Sequence, residues 1–448
     1  MATLRPSLSN RAAYRLAGGV IGLGLFASVT PTPLYGTYSV LWHFSPLTLT
    51  LIYATYAFGV LATLLLAGGV SDEVGRRPVL LVALAGLMGA SLLYLFADSA
   101  AWLFAARGLQ GLATGAALSA ASASLLDLHP RRDPAGVALA NATATAGGLG
   151  LGMLVSSSLV QIGWHPRLLP YLVLLALITT AFVGAYLIPE PVRTRGRFRL
   201  TVQRPRVPAV VRRPFLLAAL AVLSSWSIGA LFFSLGPALA AHLFHTSNAI
   251  VAGSGVVALT ASALVSQLLT GRSAPWLAAS TGSIGLAAGT ALIVVAAATD
   301  SSPTYLAGSI LGGIGFGAAF FGALRALLAK IPAQHRAAVM AAFYVVAYGS
   351  LSVPAVLAGV VVTHISLQST FEIFGSVVAA IGLVVAFEAW RQRPGSHRHS
   401  TSRRRHSLSK HPELQDGLPP RRGDPAHQDR GRHLHGDGGM TEGAWPCP

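Results

Sequence analysis

Twelve long apolar runs follow one another along this chain, separated by short polar turns that carry most of its charge. Runs of roughly 20 residues or more read as membrane-spanning helices, since at about 1.5 Å per residue they cross a hydrocarbon core about 30 Å thick. The pattern predicts spans near 14–36, 48–70, 78–97, 101–126, 135–161, 168–188, 214–241, 248–270, 275–298, 304–328, 337–363 and 370–390. The expected fold class is therefore all-α and integral to the membrane.

The placement of cations gives these helices a direction. Arg5, Arg11 and Arg15 mark the N-terminal end; Arg76 and Arg77 follow the second run, Arg131 and Arg132 the fourth, and Arg272 the eighth. Lys330 and Arg336 follow the tenth. The alternate turns (37–47, 98–100, 162–167, 242–247, 299–303 and 364–369) contain only Arg167. Cytoplasmic loops collect Lys and Arg, so both termini are expected in the cytoplasm, with the chain crossing the cell membrane many times.

Two further segments break the apolar rhythm. Residues 191–213 hold Arg193, Arg195, Arg197, Arg199, Arg204, Arg206, Arg212 and Arg213, together with several prolines, and suit a linker lying along anionic lipid headgroups. Residues 391–448 are rich in Arg, His, Pro, Gly and Ser and read as a disordered basic tail. The chain thus divides into a first bundle at 1–190, a linker at 191–213, a second bundle at 214–390 and a tail at 391–448. The net charge of +17 over 448 residues does not point to nucleic acid, because the cations lie in turns and tail rather than on an amphipathic face. Cys447 is the only cysteine, which excludes a disulfide framework and a cysteine metal site. No phosphate-cradling loop, metal cluster or nucleophile constellation is visible, so neither an enzyme, a cofactor nor a resident metal is expected.

The stretch Gly68-Gly69-Val70-Ser71-Asp72-Glu73-Val74-Gly75-Arg76-Arg77-Pro78 follows the second run. Its pattern G-x-x-x-D-x-x-G-R-R resembles the loop between the second and third helices of the major facilitator superfamily. The position after the acid is usually basic there and is Glu73 here. The resemblance implies two pseudo-symmetric six-helix bundles, N-in and C-in, working as a monomer. It also implies a cytoplasmic latch of Gly68, Asp72, Gly75, Arg76, Arg77 and Asp127. In the family the acid joins the halves through helix eleven, and the loop arginine pairs with an acid ending helix four. Asp72 is also placed to cap a helix N-terminus. An internal repeat fits the two-bundle expectation: with one offset of 202, Gly111 meets Gly313, Gly115 meets Gly317, and Ala135, Val137 and Gly147 meet Ala337, Val339 and Gly349.

Arg107 with Gln110 and Gly111 resembles the family's helix-four signature R-x-x-Q-G, tied to proton coupling in its drug exporters. A cation some six residues inside a span is costly unless it meets a polar cavity or a partner, or snorkels to headgroups. No spanning helix that would line a central cavity carries an acid away from its ends, which favours a neutral or anionic substrate over a cationic one. The glycine run Ala146–Gly152 lacks the proline of the family's antiporter signature and suits close helix packing equally well. Other cavity candidates are Asn141, Trp226, Phe316, Phe320, Tyr344 and Tyr348, with Tyr53 and Tyr56; Arg325 is expected to snorkel. The expected function is secondary active transport of a small organic molecule by alternating access, with proton-linked efflux as the leading form. Metabolite import by the same fold and a non-transporting membrane sensor are the alternatives.

Overall fold

The structure, a computed structural model, describes residues 8–130, 133–163, 165–190 and 203–391. Its helices are α1 (Asn10–Val29), α2 (Tyr35–Leu41), α3 (Pro46–Ala67), α4 (Val70–Val74), α5 (Arg76–Leu95), α6 (Ala100–Leu128), α7 (Pro134–Ile162), α8 (Leu169–Tyr186), α9 (Arg212–Ser234), α10 (Gly236–Leu243), α11 (Ala249–Thr270), α12 (Pro275–Thr299), α13 (Ser302–Leu328), α14 (Arg336–Val361) and α15 (Leu367–Arg391). Short 3-10 turns occur at Thr32–Leu34, Ala209–Val211 and Ala333–His335. Together they form 12 segments long and apolar enough to cross a membrane. The expected tail from 392 onward, and residues 191–202 of the expected linker, lie outside the described residues.

Polar side chains start several helices where the pattern switches from turn to apolar run. Ser9 accepts from the Ala12 N–H at 3.3 Å and Ser45 from Thr48 at 3.2 Å. Asp133 accepts from Ala135 and Gly136 at 3.0 Å each, and Asn248 from Ile250 at 2.9 Å. These groups satisfy N–H donors that the first turn of a helix leaves open.

Proline decides where two spans depart from the simple expectation. The first span runs Asn10–Trp42, longer than 14–36, and is broken between α1 and α2. Pro31 has no N–H for the Ala27 carbonyl and Pro33 none for Val29, so the α-helix cannot continue there. The seventh span breaks at Leu235, where Gly236-Pro237 opens α10, rather than running unbroken over 214–241. Pro354, by contrast, sits inside a continuous α14. The carbonyl it leaves open, that of Ser350, takes a 3.4 Å hydrogen bond from Ser227 Oγ on α9.

The packing repeats between the halves. α3 packs on α6 as α11 packs on α13; α5 on α6 as α12 on α13; α5 on α8 as α12 on α15; and α1 on α7 as α9 on α14. The glycine pairs matched by the 202-residue offset mark equivalent crossings. A Cβ on Gly115 would meet Thr63 and Val60 of α3, and one on Gly317 would meet Ala263 of α11 at 2.5 Å. Two seams join the halves, α3 against α14 and α7 against α11. One apolar cluster spans them, bringing Tyr53, Tyr56 and Met153 together with Ile228, Phe232, Tyr348 and Leu351. Three others remain within a single half each. Outward-facing side chains such as Val82, Phe96 and Leu269 are more than two-thirds exposed, at 73%, 71% and 79%. Such a coat suits lipid rather than water.

With an even number of spans among the described residues, the start of α1 and the end of α15 lie on one side. That side, where α3 ends and α5 begins, is called the basic face below.

Candidate functional site

The break in the first span and the middle of α6 together build a buried polar centre. Arg107 is 0% exposed. Its Nε donates to Tyr35 Oη at 2.7 Å, with a second bond from Nη2 to the same oxygen. Its Nη1 donates to the Ser28 carbonyl at 2.6 Å and to Gln110 Oε1 at 2.8 Å. Gln110 in turn donates from Nε2 to the Ala27 carbonyl at 2.8 Å. That carbonyl is the one Pro31 leaves without an in-helix donor, so the proline and the glutamine are complementary. Ser156 Oγ of α7 donates to the Thr30 carbonyl at 2.6 Å, adding a third support to the break.

Arg107 therefore does not snorkel. It spans the break, bonding the end of α1 through Ser28 and the start of α2 through Tyr35. The rings of Tyr35, Tyr53 and Tyr56 lie 5.4, 6.0 and 5.5 Å from its guanidinium carbon, close enough for cation–π attraction. Among the described residues, every ion pair lies elsewhere. A buried cation is thus held by a carbonyl, an amide, a phenol and ring faces, and its positive charge is not neutralised by a carboxylate.

The second half contributes aromatic surface. The Trp226 ring lies 5.3 Å from Tyr348, edge to face, and 5.7 Å from Phe320. Phe320 continues to Phe343, which meets Tyr344. Phe316 is half-buried and packs on the apolar cluster that joins the two halves, as do Trp226 and Tyr344. Five of the sequence candidates therefore gather on α9, α13 and α14, with Tyr53 and Tyr56 of α3 in the same cluster. Asn141 lies apart from them and accepts a 3.0 Å bond from Ser122 Oγ within the first half.

On the basic face the stretch after α3 is not a bare turn but contains the one-turn helix α4. Arg76 is 9% exposed and pairs with Asp127 at 3.0 Å, Asp72 at 2.5 Å and Ser71 Oγ at 2.7 Å. Asp72 and Asp127 thus share one guanidinium inside the first half. Asp72 itself is 65% exposed. The capping role expected of Asp72 falls instead to Glu190, whose carboxylate accepts the Arg76 and Arg77 N–H groups at 3.0 Å each. Gly75 makes that possible: its φ is +116°, and a Cβ there would lie 2.7 Å from the Glu190 carboxylate. Arg77 stacks on Tyr186 at 4.6 Å, and the Gly68 carbonyl accepts from Ser119 on α6 at 3.0 Å.

Arg325 also departs from expectation, bonding the Thr270 carbonyl at the end of α11 at 3.4 Å and stacking on Phe321. The glycine run of α7 is taken up by packing. A Cβ on Gly152 would lie 2.7 Å from the Phe26 carbonyl of α1, and one on Gly150 2.8 Å from Thr260 of α11. Sequence reasoning missed Tyr35 and Glu190. The signals available for them were Thr30-Pro31-Thr32-Pro33 inside an apolar run and Pro189-Glu190-Pro191 at the end of the sixth.

Comparisons with known proteins agree with this architecture. A family model described as Major Facilitator Superfamily matches residues 16–355. The vesicular acetylcholine transporter of Rattus norvegicus is 28% identical over 383 residues, covering 82% of this chain and 69% of the relative. That of Homo sapiens is 29% identical over 318 residues, covering 68% and 58%. Among solved structures, the human organic anion transporter MFSD10 superposes with a TM-score of 0.62 at 15% identity, covering 86% of this chain and 100% of the other. A proton:xylose symporter does so with a TM-score of 0.64 at 13% identity, covering 86% and 96%. With a family match over most of its length and twelve spans in two equivalent bundles, this chain belongs to the major facilitator superfamily and is a multi-pass membrane transporter of small molecules rather than an enzyme.

Proposed function

We infer that the protein moves a neutral or anionic small organic molecule by alternating access, in proton-linked efflux, with both termini in the cytoplasm of a cell-membrane protein. The observation that carries the substrate class is Arg107, a fully buried cation whose partners are all neutral. A site with an uncompensated positive charge favours an anion or a strong acceptor and disfavours a cation. The relatives named for acetylcholine carry a cationic cargo. In this chain the acids of the spans lie at or near helix ends, as with Asp127, Glu372 and Glu388, so the cargo is not carried over from them. The R-x-x-Q-G signature at Arg107 supports proton linkage and efflux, and the arginine bias of alternate turns supports the orientation.

The test is a screen in reconstituted vesicles carrying an internal pH-sensitive dye. Organic anions and neutral compounds are expected to move protons and to accumulate, whereas quaternary amines are not. Proton movement on adding cations alone would overturn the substrate class.

A further inference from the structure

The offset of 202 residues that relates the halves lays the second piece of one broken span on that of the other. α2 falls on 237–243, within α10, and α8 falls on 371–388, within α15. In both halves a side-chain bond joins that piece to the last span of the bundle. In the first it runs between two buried phenols, from Tyr38 Oη to Tyr171 Oη at 3.3 Å. In the second it runs from Gln368 Nε2 to His242 Nε2 at 2.9 Å, on the face opposite the basic one. An amide nitrogen only donates, so the imidazole nitrogen that faces it carries no proton. The same nitrogen lies 3.8 Å from Asp300 Oδ1, and His245 Nε2 lies 3.6 Å from Asp300 Oδ2. Among the described residues, α9 and α11 bring no titratable side chain to this end of α10, and α13 brings Tyr305, which is buried and stacked on Phe232. The α12–α13 turn brings Asp300, α15 brings Glu372 one turn beyond Gln368, and the turn before α15 brings His364.

The Nε2 atom of His242 can hold a proton or accept a hydrogen bond, and cannot do both at once. We propose that His242 is a proton-operated switch that moves the end of α10 between two partners. Neutral, it accepts from Gln368 and ties α10 to α15. Protonated, it loses that bond and pairs with Asp300 beside His245, tying α10 to the α12–α13 turn. Imidazole is the side chain that changes charge near neutral pH, whereas phenols as a class stay neutral there. Acid therefore acts on the broken span of the second half and leaves the Tyr38–Tyr171 tie of the first as it is. The switch does not depend on the transport proposed above. That reading decides only which compartment's acidity is sensed, since its orientation places this face outside the cell.

Nitroxide labels at exposed positions, in a Cys447→Ser background, follow both ties in the purified protein in detergent, where no transport is needed. Ser247→Cys with Ile365→Cys reports the turn after α10 against the turn before α15. Ser247→Cys with Ala298→Cys reports it against the end of α12. Between about pH 8 and about pH 5, a range that spans imidazole titration, dipolar broadening is expected to weaken in the first pair and strengthen in the second. The ratio of close to distant populations is expected to change about two- to fivefold, as exposed ion pairs support. Gln368→Leu is expected to weaken the broadening of the first pair at both pH values. His242→Gln, which keeps a polar side chain but cannot titrate, is expected to lose the response of that pair. A parent spectrum indifferent to pH would overturn the switch, because Gln368 would then face the ring through Oε1 and the bond would survive protonation. A full response of the first pair in His242→Gln would overturn it too. Failure of the vesicle screen with these shifts intact would remove the transport reading and leave the switch standing.

Discussion

Arg107 and Tyr35 hold the two sides of a broken helix together: guanidinium Nε and Nη2 both donate to the one phenol oxygen, while Nη1 reaches back to the Ser28 carbonyl across the break. Among the described residues nothing but neutral acceptors faces the charge, and all three polar residues of the centre are buried, Arg107 at 0%, Gln110 at 1% and Tyr35 at 2% exposure. Substitutions at this centre test it directly.

Arg107→Lys is expected to fail nearly as badly as Arg107→Ala. Lysine keeps the charge, but its single ammonium cannot serve a phenol, a carbonyl and an amide that lie in a fork. With charge-assisted bonds worth roughly 1.5–3 kcal/mol each, losing two lowers activity by more than about tenfold. Initial uptake rate at matched protein level decides it; full activity of the lysine variant would reduce Arg107 to a generic cation.

Tyr35→Phe takes away one acceptor and leaves two guanidinium donors unmet. An unmet buried donor costs about 1–3 kcal/mol, more when charged. The variant is expected to melt at a lower temperature in detergent and to transport poorly. An unchanged melting temperature would show that the phenol is not what holds the cation.

Pro31→Ala restores an in-helix donor for the Ala27 carbonyl in competition with Gln110. Without the proline, α1 can extend toward Tyr35 and turn the phenol away from Arg107. Flux is expected to fall while abundance and melting temperature stay level or rise. Normal flux would mean that the break is incidental to transport.

Asp127 and Asp72 are expected to differ although both pair with Arg76. The Asp72 carboxylate is 65% exposed and Asp127 33%, and exposed ion pairs contribute little to stability. Asp72→Asn should therefore keep abundance and lose transport, whereas Asp127→Asn should lose both. Wild-type flux in Asp72→Asn would leave that residue a determinant of topology only.

The apolar rhythm of the chain is enough to read twelve spans, because length and hydropathy alone settle whether a segment can cross a bilayer. The duplication is also readable, since glycine pairs such as Gly111–Gly115 and Gly313–Gly317 must recur wherever two backbones come close. Partners across the bundle are another matter. Tyr35 lies 72 residues from Arg107, and Glu190 lies 114 from Arg76. Which side chain meets which depends on how each helix is rotated and where it breaks, and periodicity along one helix does not encode that. Proline is the exception: Pro31 and Pro354 each free a carbonyl, and in each case a polar side chain of a neighbouring span takes it up.

The 202-residue repeat sets Ser309 in the place that Arg107 holds in the first half. Ser309 is fully buried and donates to the Tyr305 carbonyl of its own helix at 2.8 Å. The two bundles thus differ at equivalent places, the first carrying a buried charge and the second a surface of rings that meet tilted and edge to face. Under the transport proposed above, a cargo lying between the bundles would meet a different surface in each half, so its two ends would not be interchangeable.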